Sequence, residues 1–186
     1  MKLSCWAGLV FLLQTNLLQA QKKADFEADA FLIDNHKQLT IYKDSVGSQI
    51  IALVKNIEEI DKYYRFHFLK VHGKKTKIIA KYTIDAATDD SSEVVGWINF
   101  GLVGVYINLI GRDHGRAFVF ATCDKAADKI FFDTSVFSKP FEIVNVAFIK
   151  DQIWLKVSVV RAERTIIGWL SPEMQCTDIW NACVGN

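Results

Sequence analysis

The stretch Trp154-Leu155-Lys156-Val157-Ser158-Val159-Val160-Arg161-Ala162-Glu163-Arg164-Thr165-Ile166-Ile167-Gly168-Trp169-Leu170 holds two apolar runs divided by a polar turn. In its first run Leu155, Val157 and Val159 share one face, and Trp154, Lys156 and Ser158 share the other. A period of two is the mark of a strand with one buried face. Arg161 to Arg164 then turn the chain, and Thr165 to Leu170 return, which predicts an antiparallel hairpin. Gly168 leaves one strand position without a side chain, as a bend or a close backbone approach requires.

A similar pattern occurs upstream. Reading without gaps at an offset of 75, Phe66 meets Phe141, Phe68 meets Ile143 and Val71 meets Val146. Ile78-Ile79-Ala80 then meet Ile153-Trp154-Leu155, and Lys81-Tyr82-Thr83-Ile84 meet Lys156-Val157-Ser158-Val159. The pentads Val94-Val95-Gly96-Trp97-Ile98 and Ile166-Ile167-Gly168-Trp169-Leu170 follow at an offset of 72, so three extra residues are expected near Asp89-Asp90-Ser91-Ser92. Turns absorb insertions far more readily than strands do. Further out the match is fainter: Leu39 to Tyr42 and Phe120 to Cys123 read as strands, each followed by a polar turn and an apolar pair, Ile50-Ile51 or Phe131-Phe132. One copy is placed at 24–110 and a second at 114–186, with the joint in Gly111 to Gly115. Strand signals dominate throughout; Pro140 and Pro172 are the only prolines, and sustained helical periodicity is absent. Units of about 70 to 85 residues built from short strands avoid bare edges by curling into small barrels.

Trp154-Leu155-Lys156-Val157, a short hairpin and Gly168-Trp169-Leu170 resemble the bacterial SH3-like (SH3b) family, in which W-x-K-V and G-W-[IVL] mark consecutive strands. In the first copy Ile79 stands where that pattern has its first tryptophan, while Lys81 and Gly96-Trp97-Ile98 fit. The tail from Gly168 through Cys183 is similar to the C-termini of exported tandem members. The resemblance covers most of the chain after its first 20 residues. It implies an all-β protein of two tandem SH3-like barrels and leaves the ligand open.

The N-terminus begins Met1-Lys2-Leu3, runs through apolar Cys5 to Leu13, and reaches Ala20-Gln21 after a polar interruption. A basic start, a short apolar core and a small residue before a polar stretch are the parts of a cleaved secretory signal, placed at 1–20. The run is too short to span a bilayer, which needs about 20 apolar residues. A soluble, exported protein of periplasmic or extracellular location is therefore expected. Processing removes one of the 22 basic residues, leaving a balance with the 21 acidic ones. A charge near zero offers no footprint for nucleic acid, and Lys70 to Lys77 read as a solvated turn. Cys123, Cys176 and Cys183 survive processing. Export permits a disulfide; Cys176 and Cys183, close in sequence, are the natural pair, with pairing of Cys123 to one of them as the alternative.

Chemistry-bearing constellations are sparse. A Cys–His hydrolase could draw only on Cys123 and on His36, His67, His72 or His114, and the repeats leave no room for a catalytic domain. No Cys or His pair has zinc spacing, and Glu58-Glu59 and Asp89-Asp90 lack calcium-loop spacing. No catalytic residue, metal or cofactor is assigned. Tyr42, Tyr63, Tyr64, Trp97, Tyr106, Trp154, Trp169 and Trp180 are the candidates for a ligand groove, since Tyr and Trp offer large flat area with a polar tip. The competing reading places Trp97 and Trp169 in the barrel cores. The expected function is a non-enzymatic binding module for peptide, cell-wall or envelope-protein ligands; the alternative is a structural protein whose barrels mediate protein–protein contacts. Intact mass of the exported protein should begin at Gln21, and thiol counting before and after reduction should give one bridge and one free thiol; three free thiols would refute the pairing.

Overall fold

The computed structural model describes residues 29–33, 38–55, 63–83, 93–107, 116–132, 140–161 and 164–176. The chain is all-β. Its strands are β1 (Asp29–Leu32), β2 (Leu39–Tyr42), β3 (Ile50–Val54), β4 (Tyr63–His72), β5 (Lys75–Thr83), β6 (Glu93–Asn99) and β7 (Val103–Ile107). They continue with β8 (Ala117–Phe120), β9 (Lys129–Phe132), β10 (Phe141–Ile149), β11 (Gln152–Arg161), β12 (Arg164–Leu170) and β13 (Gln175–Cys176), the last after a 3-10 turn at Pro172–Met174. Among the described residues all pairings are antiparallel, in the order β3-β2-β6-β5-β4-β1-β7-β10-β11-β12-β8-β9, with β13 on β7, and the sheet they form does not close.

The pairing repeats. β1 pairs with β4 through Ala30 and with the start of β7 through Leu32. In the same way β7 pairs with β10 through Val105 and with β13 through Ile107. Val103–Ile107 thus serve both halves, ahead of the stretch 111–115 in which the sequence pattern put the joint. Gly104 lies at this crossing: a Cβ there would come within 2.7 Å of Ile33 Cγ1 and 2.9 Å of the Phe141 carbonyl oxygen.

Registers show which residues correspond. Phe68 faces Ile78, which faces Gly96; Ile143 faces Val157, which faces Gly168. Each β4-type strand carries a bulge immediately after that pair, between Phe68 and Lys70 or between Ile143 and Asn145. Ile78 therefore corresponds to Val157, not to Ile153 as the ungapped reading had it. The β10–β11 hairpin is four residues longer than β4–β5, and the following connection is seven residues shorter. A shift of four preserves the inward–outward alternation of a strand, so the wrong register still matched apolar to apolar. The residue at the place of Trp154 is accordingly Lys75, not Ile79: Lys75 faces His72 as Trp154 faces Ala147.

One core pair is filled by complementary choices. Leu39 faces Val54 where Ala117 faces Phe132, all buried, whereas Ile143 with Val157 is smaller at both positions than the equally buried Phe68 with Ile78. Exchanging large and small partners across a pair keeps the volume, which cores tolerate better than a net change. Thr76 stands fully buried where the second half has Leu155; its hydroxyl donates to the Lys70 carbonyl at 3.0 Å, satisfying the polar atom.

Gly96 and Gly168 let β6 and β12 lie close over β2 and β8. A Cβ on Gly96 would stand 2.4 Å from Ile41 Cγ2 and 2.7 Å from the Tyr42 carbonyl oxygen; on Gly168 it would stand 2.2 Å from Val119 Cγ2 and 3.0 Å from the Phe120 carbonyl oxygen. Gly96→Ala and Gly168→Ala should each destabilise by about 1–3 kcal/mol through overpacking against backbone, read as a lower urea midpoint at unchanged slope.

Candidate functional site

The Gly-Trp step sends each tryptophan to the outward face, one residue beyond the close approach. Trp97 sits across from Lys77 on one side and Tyr42 on the other; Trp169 sits across from Lys156 and Phe120. Trp97 is 8% exposed, its ring covered by side chains of the β4–β5 hairpin. Lys70 Nζ lies 5.7 Å from the ring centroid, and the His72 ring meets it edge-on at 6.3 Å. Lys156 Nζ lies 5.7 Å from the centroid of Trp169, which is partly buried. Both contacts fall within the roughly 6 Å reach of a cation–π interaction, worth about 0.5–1 kcal/mol at an exposed site.

Beside each tryptophan the halves diverge. Lys75 Nζ lies 4.2 Å over the Tyr42 ring. At the equivalent place Trp154 packs against Phe120 at 5.7 Å and 65°. Trp154 is 3% exposed, so it serves as core and leaves no free face for a ligand, although it alternates onto the side of Lys156 and Ser158. Phe120 in turn meets Phe118 at 5.3 Å, and Phe118 meets Phe131 at 5.7 Å. Phe131 is 40% exposed, with the Arg116 guanidinium 5.9 Å from its centroid. Weighing only Tyr and Trp missed this ring chain; the Phe118-x-Phe120 alternation was its signal in the sequence.

The remaining candidates lie apart. Tyr64 stacks on Phe66 and tilts against Tyr82 at 4.9 Å; burial, then the neighbouring Tyr82, raises its hydroxyl pKa. Tyr106 stacks on Phe31 at 5.0 Å, and burial raises its hydroxyl likewise. Tyr63 lies in β4, with its side chain outside the described features. Trp180, Cys183, His36 and His114 lie outside the described residues. The structure thus pairs Tyr42 with Trp97 and places Phe120 against both Trp154 and the Trp169 position, but does not gather all eight.

Electrostatics at these places are simple. The Asp44 carboxylate accepts hydrogen bonds from the Ser48 hydroxyl and from the amides of Gly47 (2.7 Å) and Ser48 (3.2 Å), which hold it below the usual carboxylate range. Those bonds shape the loop after β2 beside Lys75. Cys123 is a free, partly buried thiol whose pKa burial pushes up, against smaller lowering by its backbone and Lys156. An activated nucleophile needs the opposite shift. Cys176 is buried in β13. Among the described residues no group of three His, Cys, Asp or Glu could hold a metal, and no helix is long and apolar enough to cross a membrane.

Trp154→Ala should lose about 3–5 kcal/mol of stability, as aromatic truncation in a core does. Lys75→Ala at the equivalent place should lose under about 1 kcal/mol. Urea unfolding of both variants measures the difference; equal losses would mean that the two positions do not correspond. No family model matches this chain, and neither the curated proteins nor the solved structures contain a significant match to it.

Proposed function

We propose that this is an exported, non-enzymatic binding module, processed after Ala20 and built as two tandem SH3-like barrels that take peptide, cell-wall or envelope-protein ligands. The observation that carries the reading is the repeated outward tryptophan. Trp97 and Trp169 occupy equivalent places, each across from a lysine and one residue beyond a glycine packed on the neighbouring strand. Such a ring with a displaceable aliphatic and cationic cover suits recognition of extended polar ligands. The repeated pairing of β1 and β7 supports the two-unit reading. A bridge from Cys176 to Cys183 would tie the chain beyond β13 to the second half.

The alternative, a structural protein assembled through its barrels, draws support from the second half. Val160 is 74% exposed, Ile167 49% and Phe131 40%, all among its outward residues. A concentration-dependent oligomer by sedimentation would favour that reading.

Pull-down of purified peptidoglycan fragments and of envelope extract by the processed protein tests the binding reading. Retention is expected, with weakening in a Trp97→Ala, Trp169→Ala double variant that keeps its β circular dichroism. No ligand retained at millimolar concentration would refute it.

A further inference from the structure

The bulge in β4 decides which side chains share the outer face of the first half. Phe66 and Phe68 are buried, so strict alternation would turn Lys70 and His72 inward with them. The bulge between Phe68 and Lys70 reverses the phase, and Lys70 and His72 emerge exposed. They then face residues of β5 across the ladder: Lys70 opposite Lys77 and His72 opposite Lys75, with Arg65 opposite Lys81 further along. Lys77 in turn faces Trp97, and Lys75 covers Tyr42.

Like charges placed directly opposite each other destabilise a sheet. Lys81 is relieved by Glu93 at 2.7 Å. Among the described residues no carboxylate forms an ion pair with Lys70, Lys75 or Lys77. Packing does not require Lys70, His72 or Lys75, because the second half builds the same ladder with Asn145, Ala147 and Trp154 in their places and keeps a cation only at Lys156, opposite Trp169 as Lys77 is opposite Trp97. Its corresponding pairs are Asn145 with Lys156 and Ala147 with Trp154. The first half thus concentrates positive charge around an aromatic pair on one outward face.

We propose that this face, formed by Lys70, His72, Lys75 and Lys77 around Tyr42 and Trp97, docks an extended acidic segment of a partner protein. The inference rests on the binding-module reading and names its ligand class. Charge complementarity selects an acidic partner, and spacing selects an extended one. Alternate residues of a strand stand about 7 Å apart, so Lys75 and Lys77, like Lys70 and His72, match carboxylates on alternate residues of an extended peptide. Lysine side chains over the rings can swing to the carboxylates while their stems stay on the apolar face.

The test is fluorescence polarisation of the full, oxidised chain with a labelled (Glu-Ser)4 peptide and its (Gln-Ser)4 counterpart. The acidic peptide should bind at least about tenfold tighter at low salt and lose most of that advantage at about 1 M salt, where the Debye length falls to about 3 Å. Combining Lys70→Gln, Lys75→Gln and Lys77→Gln should weaken binding about tenfold or more while shifting the urea midpoint little, since the relieved Lys70–Lys77 repulsion opposes the lost cation–π contacts. Lys150→Gln, in the exposed turn between β10 and β11, should leave binding unchanged. Equal affinity for both peptides, an unaffected triple variant, or tighter binding to an oligonucleotide or to anionic phosphatidylglycerol vesicles would each overturn the proposal. Capture of a neutral ligand in the pull-down alongside failure here would remove the acidic class alone; failure of both would remove the binding module itself.

Discussion

Two strand crossings govern the geometry of this protein. At each, a glycine allows the backbone of β6 or β12 to lie against a carbonyl and a branched side chain of β2 or β8. Ile41 and Tyr42 make the surface that Gly96 meets; Val119 and Phe120 make the one that Gly168 meets. With no side chain in the way, the following tryptophan lies on the face opposite the core, buried under other side chains at Trp97 and partly buried at Trp169, and the residue after it, Ile98 or Leu170, points fully into the core. The crossing therefore fixes three things at once: strand spacing, core depth and the place of the outward ring. A methyl group at either glycine would have to displace backbone, which is stiff, and not the end of a flexible side chain.

Around those fixed points the two halves drift in different ways. Inside, one pair compensates directly: the smaller Ala117 is met by the larger Phe132 where Leu39 meets Val54. Close packing enforces this, because a cavity or an overlap is felt at the level of a single methylene. Outside no such restraint operates. Tyr42–Lys75 and Phe120–Trp154 occupy the same place with opposite chemistry, one a cation over a ring and the other two packed rings. The first half has become a basic aromatic surface, and the second a chain of phenylalanines bordered by Arg116 and Lys129.

Much of the architecture was legible from local pattern. Alternation in Trp154 to Val159, the polar turn after it and the paired Gly-Trp pentads pointed to antiparallel strands arranged twice. Strand existence and facing depend on a period of two, which a short window carries. Register was not legible, for the same reason: a slip of four residues leaves the alternation intact, so Ile79 was set against Trp154 when Lys75 occupies that place. The bulge after Phe68 was equally hidden, since an extra residue in one strand is visible only against its partner. Without it Lys70 to Lys77 read as a turn, whereas most of those residues belong to two facing strands.

The amino-acid sequence by itself therefore determined the class of structure, the antiparallel hairpin and the two Gly-Trp steps, because each is written in neighbours along the chain. Tertiary structure alone decided that β7 serves both halves, that Trp154 is enclosed and that the lysines of β4 and β5 share one outward face. Those outcomes depend on which strand lies beside which, and on where a ladder gains a residue. Such pairings join positions far apart in the chain, and no local pattern records them.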